Sequence, residues 1–241
     1  MMDTLILDVM LEIHNFLNFP SQVNLRLTST HFATHYHVTN LYDNKPLGFQ
    51  GDDSALARYP HVTKLSLSHS SGYNISRLTR LQKLTLHWYN CVDDEQLSEL
   101  TNLVMLSISS TDLVSDVNHL VNLRVLKAST DIYARCASNI SNTSLSNLTN
   151  LTTLWTDNNP KITDINHMTN LRKLSARGNS GIGDSGIKNL PELRELYVSD
   201  NVKVRDVNHL TKLEVLHMRG KTGITAEGRK HLPKTVKVVT Q

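Results

Sequence analysis

Three stretches of the chain repeat almost the same hexapeptide: SDVNHL at 115–120, TDINHM at 163–168 and RDVNHL at 205–210. Each sets an aspartate, an asparagine and a histidine within four residues. Carboxylate and imidazole are the groups that ligate metals and move protons. Either these are three reactive sites or three copies of one structural device, and the elements that carry them decide which.

From residue 62 the chain is written in units that open L-x-x-L-x-L. The starts fall at Val62, Leu81, Leu103, Leu123, Leu151, Leu171, Leu193 and Leu213, with a degenerate copy from Thr235. The spacings are 19, 22, 20, 28, 20, 22, 20 and 22 residues. Units of this length and pattern make a leucine-rich repeat solenoid, because no single unit can bury its leucines and stacking neighbours builds one continuous core. The fold class expected is therefore α/β: a parallel concave sheet with short convex helical turns, closed at its C-terminal end by a strand over TVKVVTQ.

Counted from each start, the motif aspartates occupy the fourteenth place: Asp116, Asp164 and Asp206. Asp94 and Asp184 stand at the same count in 22-residue units that have no histidine at the matching offset. An aspartate just ahead of an apolar i, i+3 pair is placed to cap a helical turn by accepting backbone N–H groups. The motif thus reads as a cap on the convex side, and its histidines do not converge on a ligand set. The ninth place holds Asn159, Asn179 and Asn201, expected as a partial ladder of buried amides. The 28-residue unit carries an insertion, ARCASNISNTSLSN, expected to bulge on the convex side or rim.

The residues between the second and third leucines face outward from the concave sheet. That column reads Ser66, Thr85, Ser107, Lys127, Trp155, Ser175, Tyr197, His217, and two places further on stand Ser68, His87, Ser109, Ser129, Asp157, Arg177, Ser199 and Arg219. Aromatic and arginine side chains are favoured anchors of protein interfaces. The candidate target-binding residues are accordingly His87, Trp88, Lys127, Trp155, Lys173, Arg177, Tyr197, His217 and Arg219, and the basic members suit an acidic or phosphorylated segment.

Residues 4–17 place Leu5, Ile6, Val9, Met10, Ile13, Phe16 and Leu17 at helical spacing, and Phe19-Pro20-Ser21 ends that helix and starts another. The stretch LILDVMLEIHNFLNFPSQVNLRLTSTHF resembles an F-box in its leading leucine, Asp8-Val9, Ile13, Asn15-Phe16-Leu17 and Leu25-Arg26-Leu27. It departs from that family at Ile6, where proline is usual, and at Thr28, Ser29 and Phe32. The resemblance implies an F-box-like helical segment at 1–45, a connector at 46–60 and repeats over 61–241. It also implies docking on a Skp-type adaptor, and through it a cullin ubiquitin ligase, by Leu5, Ile6, Val9, Ile13, Leu17, Val23 and Leu27. Two other readings stay open: a repeat scaffold without a ubiquitin role, capped by those helices, and a viral or bacterial effector that occupies a host adaptor.

The bulk numbers are neutral about partners. The 241 residues are 39% hydrophobic and 20% charged, a globular composition, and a net charge of +3 does not by itself imply nucleic acid. Two cysteines without a CxxC, no signal-like leader and no long apolar run point to a reduced, cytoplasmic setting away from membranes. Five Asn-x-Ser/Thr matches (Asn74, Asn139, Asn142, Asn147, Asn150) read as coincidence in an Asn-, Ser- and Thr-rich chain. No nucleophile elbow, P-loop or H-E-x-x-H occurs, so neither catalysis, a metal nor a cofactor is expected.

Overall fold

A computed structural model describes the backbone of residues 40–42, and residues 61–67, 74–86, 92–109, 111–130 and 137–240 in full. Among the described residues ten short strands, one ahead of the first unit and one in each of the nine copies that follow, form a single parallel sheet in strict sequence order. They are β1 Asn40–Tyr42, β2 Lys64–Leu67, β3 Lys83–Leu86, β4 Met105–Ser107, β5 Val125–Lys127, β6 Thr153–Trp155, β7 Lys173–Ser175, β8 Glu195–Tyr197, β9 Val215–His217 and β10 Lys237–Val239. β1 pairs with β2, so the sheet reaches back into the stretch 1–45 for which helices are expected. The F-box positions Leu5 to Leu27 lie outside the described residues.

The register is uniform. Leu65, Leu84, Leu106, Leu126, Leu154, Leu174, Leu196, Leu216 and Val238 are paired in turn across the sheet. From Leu84 to Leu216 this column is fully buried, whereas terminal Val238 is 37% exposed. The start leucines from Leu81 to Leu213 form a second buried column beside it. The third shrinks to Ala128, Thr156 and Ala176 in mid-solenoid, where small side chains let successive units pack closely.

Repeat length alternates, and the alternation has a structural meaning. Helical turns occur at Asp94–Leu97 (α1), Thr143–Leu145, Asp184–Ile187 and Glu227–Arg229. All belong to the units of 22 or 28 residues, while the 20-residue units from Leu103, Leu151 and Leu193 cross the convex side in plain turns. In the 28-residue unit, Ser138, Ile140, Ser144 and Leu145 are buried. The second half of ARCASNISNTSLSN is therefore ordinary repeat and not a bulge: Ile140 takes the place that Val92 holds in a 22-residue unit, so the six extra residues lie ahead of it.

The hexapeptide motif resolves into three separate hydrogen-bonding jobs. The aspartate caps its own turn, as Oδ1 of Asp116, Asp164 and Asp206 accepts the backbone N–H of Asn118, Asn166 and Asn208 at 2.9, 3.0 and 2.9 Å. The asparagine reaches forward: the amide of Asn166 donates to Ser185 O and accepts from Asn189 N, and Asn208 does the same with Glu227 O and His231 N. The histidine reaches back, its Nε2–H donating to the carbonyl of Leu97, Leu145 or Ile187 at 3.0, 2.9 and 3.0 Å for His119, His167 and His209. Each short unit is thus stitched to a long unit on either side, and the three groups never meet at one point.

Two columns read by fixed counting need correction. Asp94 and Asp184 do not cap their own turns; α1 is capped by Asp93, which accepts from Gln96 N. Asp94 instead accepts N–H groups of Ser115 and Asp116, and Asp184 those of Arg205 and Asp206, each in the next unit. Asn142 serves Thr163 and Asp164 in the same way. Asn179 is exposed and outside the buried amide ladder, because Gly178 (φ 59°) sits at the place of Asn158 (φ 56°) and the 22-residue unit turns inward one residue later, at buried Ser180. Asn159 and Asn201 do fill the ladder. Asn201 donates to Ala176 O and Ile182 O and accepts from Lys203 N and Val204 N.

Candidate binding face on the concave sheet

The strand residues that point away from the leucines compose one continuous column. Ser66, Thr85, Ser107, Lys127, Trp155, Ser175, Tyr197 and His217 are successive register partners, followed by Val239. Parallel in-register pairing sets such side chains about 4.8 Å apart from strand to strand. His87 and Trp88 lie outside the described residues.

The candidates form two groups separated by buried Ser175. In the first, the Lys127 ammonium lies 4.4 Å from the centre of the Trp155 ring, a cation–π contact. Trp155 Nε1 is buried with no hydrogen-bond partner. The second centres on Tyr197. Its ring stacks on His217 with centroids 4.5 Å apart and planes 9° from parallel. From β7 and the turn after it come Lys173 Nζ at 5.0 Å and Arg177 Cζ at 4.9 Å from the tyrosine centroid.

Two acidic residues absent from the expected set temper this basic group. Glu195, the register partner of Lys173, pairs with its ammonium at 2.7 Å and accepts the Tyr197 hydroxyl at 2.8 Å. The hydrogen bond to Lys173 holds the Glu195 carboxyl below its usual range, and the same bond raises the Lys173 ammonium. The signal for this pair was an opposite charge directly across a parallel ladder. Asp157 Oδ1 accepts the Ser175 hydroxyl at 2.6 Å and the backbone N–H of Arg177 at 2.9 Å, the position in which Ser129 and Ser199 also accept from the following unit.

His217 titrates lower than an ordinary histidine. Burial is the largest cause, followed by the charges of Arg177, Arg219 and Lys237. Burial and the positive field therefore favour the neutral imidazole against Tyr197. Arg177 and Arg219 are exposed and line an open depression of about 670 Å3 together with Ser199, Asp200 and His217.

A second ladder went unread in the sequence. Asn102, Asn122, Asn150 and Asn170, each just ahead of a start leucine, donate to Thr79 O, Thr101 O, Val121 O and Thr149 O of the preceding unit. Its signal was the literal recurrence of T-N-L or V-N-L. Asn142 and Asn150, two of the Asn-x-Ser/Thr matches, thus have structural work of their own. Among the described residues no group of three or more His, Cys, Asp or Glu could hold a metal, and no helix is long and apolar enough to cross a membrane.

No protein-family model and no curated protein matches the chain. Solved structures do. The internalin InlF of Listeria monocytogenes is 25% identical over 73% of this chain, with a TM-score of 0.53, and the chain spans 59% of that structure. Internalin C2 of the same organism is 22% identical over 77% of this chain and 83% of its own, with a TM-score of 0.57. A leucine-rich repeat protein of Leptospira interrogans is 18% identical over 83% of this chain and 54% of its own, with a TM-score of 0.53. The fold is a leucine-rich repeat solenoid, an architecture whose extended concave surface is suited to binding.

Proposed function

We propose that this chain is a non-catalytic interaction module that grips a protein target on the concave face between β5 and β9. The observation that carries the reading is the half-buried assembly around Tyr197, an aromatic ring braced on one side by His217 and approached from the preceding unit by Lys173 and exposed Arg177. Bracing fixes the ring before a partner arrives, which lowers the ordering cost of binding. The test is selection of a displayed random-peptide library on the full chain and on its Tyr197→Ala variant. Peptides enriched on the first and lost on the second support the reading; identical selections on both overturn it.

The finer role is substrate recognition in an SCF-type ubiquitin ligase. It is supported by the F-box-like pattern from Leu5 to Leu27 ahead of a target-binding solenoid, an order in which one end docks the adaptor and the other presents the target. A purified Skp-type adaptor should be retained by the full chain and lost on Leu17→Asp or Ile13→Asp. Failure of the unaltered chain to retain any adaptor removes the ligase role and leaves a repeat scaffold, a reading the same concave assembly favours because it needs no adaptor to bind.

A further inference from the structure

Arg177 and Arg219 have no carboxylate partner among the described residues. The ion pairs there join Lys173 to Glu195, Arg194 to Glu214, Lys212 to Glu192 and Lys230 to Glu227. The nearby carboxylates are otherwise engaged: Asp157 holds the Arg177 backbone and Ser175, and Asp200 Oδ1 accepts Lys221 N at 3.0 Å. The two arginines occupy one column two strands apart, across Ser199, at the rim of the same depression. Unpaired guanidiniums converging on an open cleft are preorganised for carboxylates, which they bind in a two-pronged geometry.

We propose that the depression takes an extended acidic segment of a partner protein, two of whose carboxylates meet Arg177 and Arg219 while an intervening side chain lies on the Tyr197–His217 stack. This deepens, and rests on, the concave-face reading above. The spacing specifies the segment. Two strand steps are about 9.6 Å, and an extended polyproline II chain repeats every three residues, about 9.3 Å. The acidic residues should therefore stand three apart.

The peptide selection separates this inference from the reading beneath it. Tyr197-dependent peptides should carry Asp or Glu at i and i+3. A labelled decapeptide with two glutamates at that spacing, in a proline-rich background, should bind the full chain at least about tenfold more weakly once Arg177 and Arg219 are both changed to Gln. Arg205→Gln combined with Lys188→Gln, an equal charge change away from the concave face, should leave binding unaltered. Circular dichroism of each variant establishes that it folds. Tyr197-dependent peptides without acidic residues, or equal binding of the Gln-for-Glu decapeptide, overturn the acidic-segment assignment and leave the concave-face reading standing. Tighter binding of a ten-nucleotide oligouridine, lost in the same double variant, reassigns the site to nucleic acid and also overturns it. No Tyr197-dependent enrichment fails the concave-face reading itself.

Discussion

Asp184 and Asp206 stand at the same count from the starts of their units, yet Oδ1 of Asp184 accepts the backbone N–H of Asp206 at 3.1 Å and that of Arg205 at 2.6 Å. One aspartate caps its own turn and the other ties the next unit down. Asp184→Ala should cost about 1 kcal/mol, because two exposed backbone donors exchange a carboxylate acceptor for water. Asp184→Asn keeps an oxygen there, as Asn142 does naturally in the 28-residue unit, and should stay within about 0.5 kcal/mol of the parent in urea unfolding. Equal losses for both variants would show that the charge, not the acceptor, matters.

The motif histidines are expected to act as hydrogen-bond donors alone. His167→Ala removes the bond to Leu145 O and should cost about 1 kcal/mol, lowering the melting temperature by roughly 2–4 °C for a chain of this size. A scan that superimposes on the parent would leave that bond without weight.

Asn201 and Asn179 should part sharply. Asn201 is fully buried and makes four hydrogen bonds to backbone, so Asn201→Ala should lose about 3 kcal/mol or more. Asn179 is exposed, and Asn179→Ala should fall within about 0.5 kcal/mol of the parent. Paired denaturant curves test both, and similar midpoints would contradict the ladder as drawn.

Trp155→Phe should be neutral or stabilising by up to about 1 kcal/mol. The indole N–H is buried without an acceptor, and phenylalanine removes that desolvated donor while keeping a ring under Lys127. A loss beyond about 2 kcal/mol would mean that ring size governs this position.

Acid should weaken the C-terminal half through His217. Its folded value lies below the ordinary one, near 6.5, so the unfolded chain takes the proton first. The contribution is complete above about pH 6.5 and is lost as the pH falls through the depressed folded value. An NMR titration of the His217 ring should show a midpoint below that of a free histidine, and Arg219→Gln should move it upward. A midpoint unmoved by that substitution would remove Arg219 as a cause.

The concave column was legible because a strand alternates its side chains strictly: once L-x-x-L-x-L is aligned, Lys127, Trp155, Tyr197 and His217 must share one face. The convex side was less so. Units of 20 and 22 residues place their helical turns and inward turns at different counts, so a fixed offset put Asn179 beside Asn159 and Asp184 beside Asp206. Glu195 was not legible as part of the face because it stands on the strand position before the outward column, and only the register of β7 against β8 sets its carboxylate beside Lys173.

By itself the sequence determined the starts of the units from Val62 on, the leucines that face inward and the residues that face the concave surface, because all three follow from local periodicity; the strand Asn40–Tyr42, ahead of the first start, did not show in that pattern. Tertiary structure alone decided which partner each polar group takes. Asp94, Asp184, Asn142 and the three motif histidines bond across units roughly twenty residues away. A hydrogen bond depends on where a neighbouring unit sets its backbone to within a few tenths of an ångström, and a one-dimensional pattern does not carry that distance.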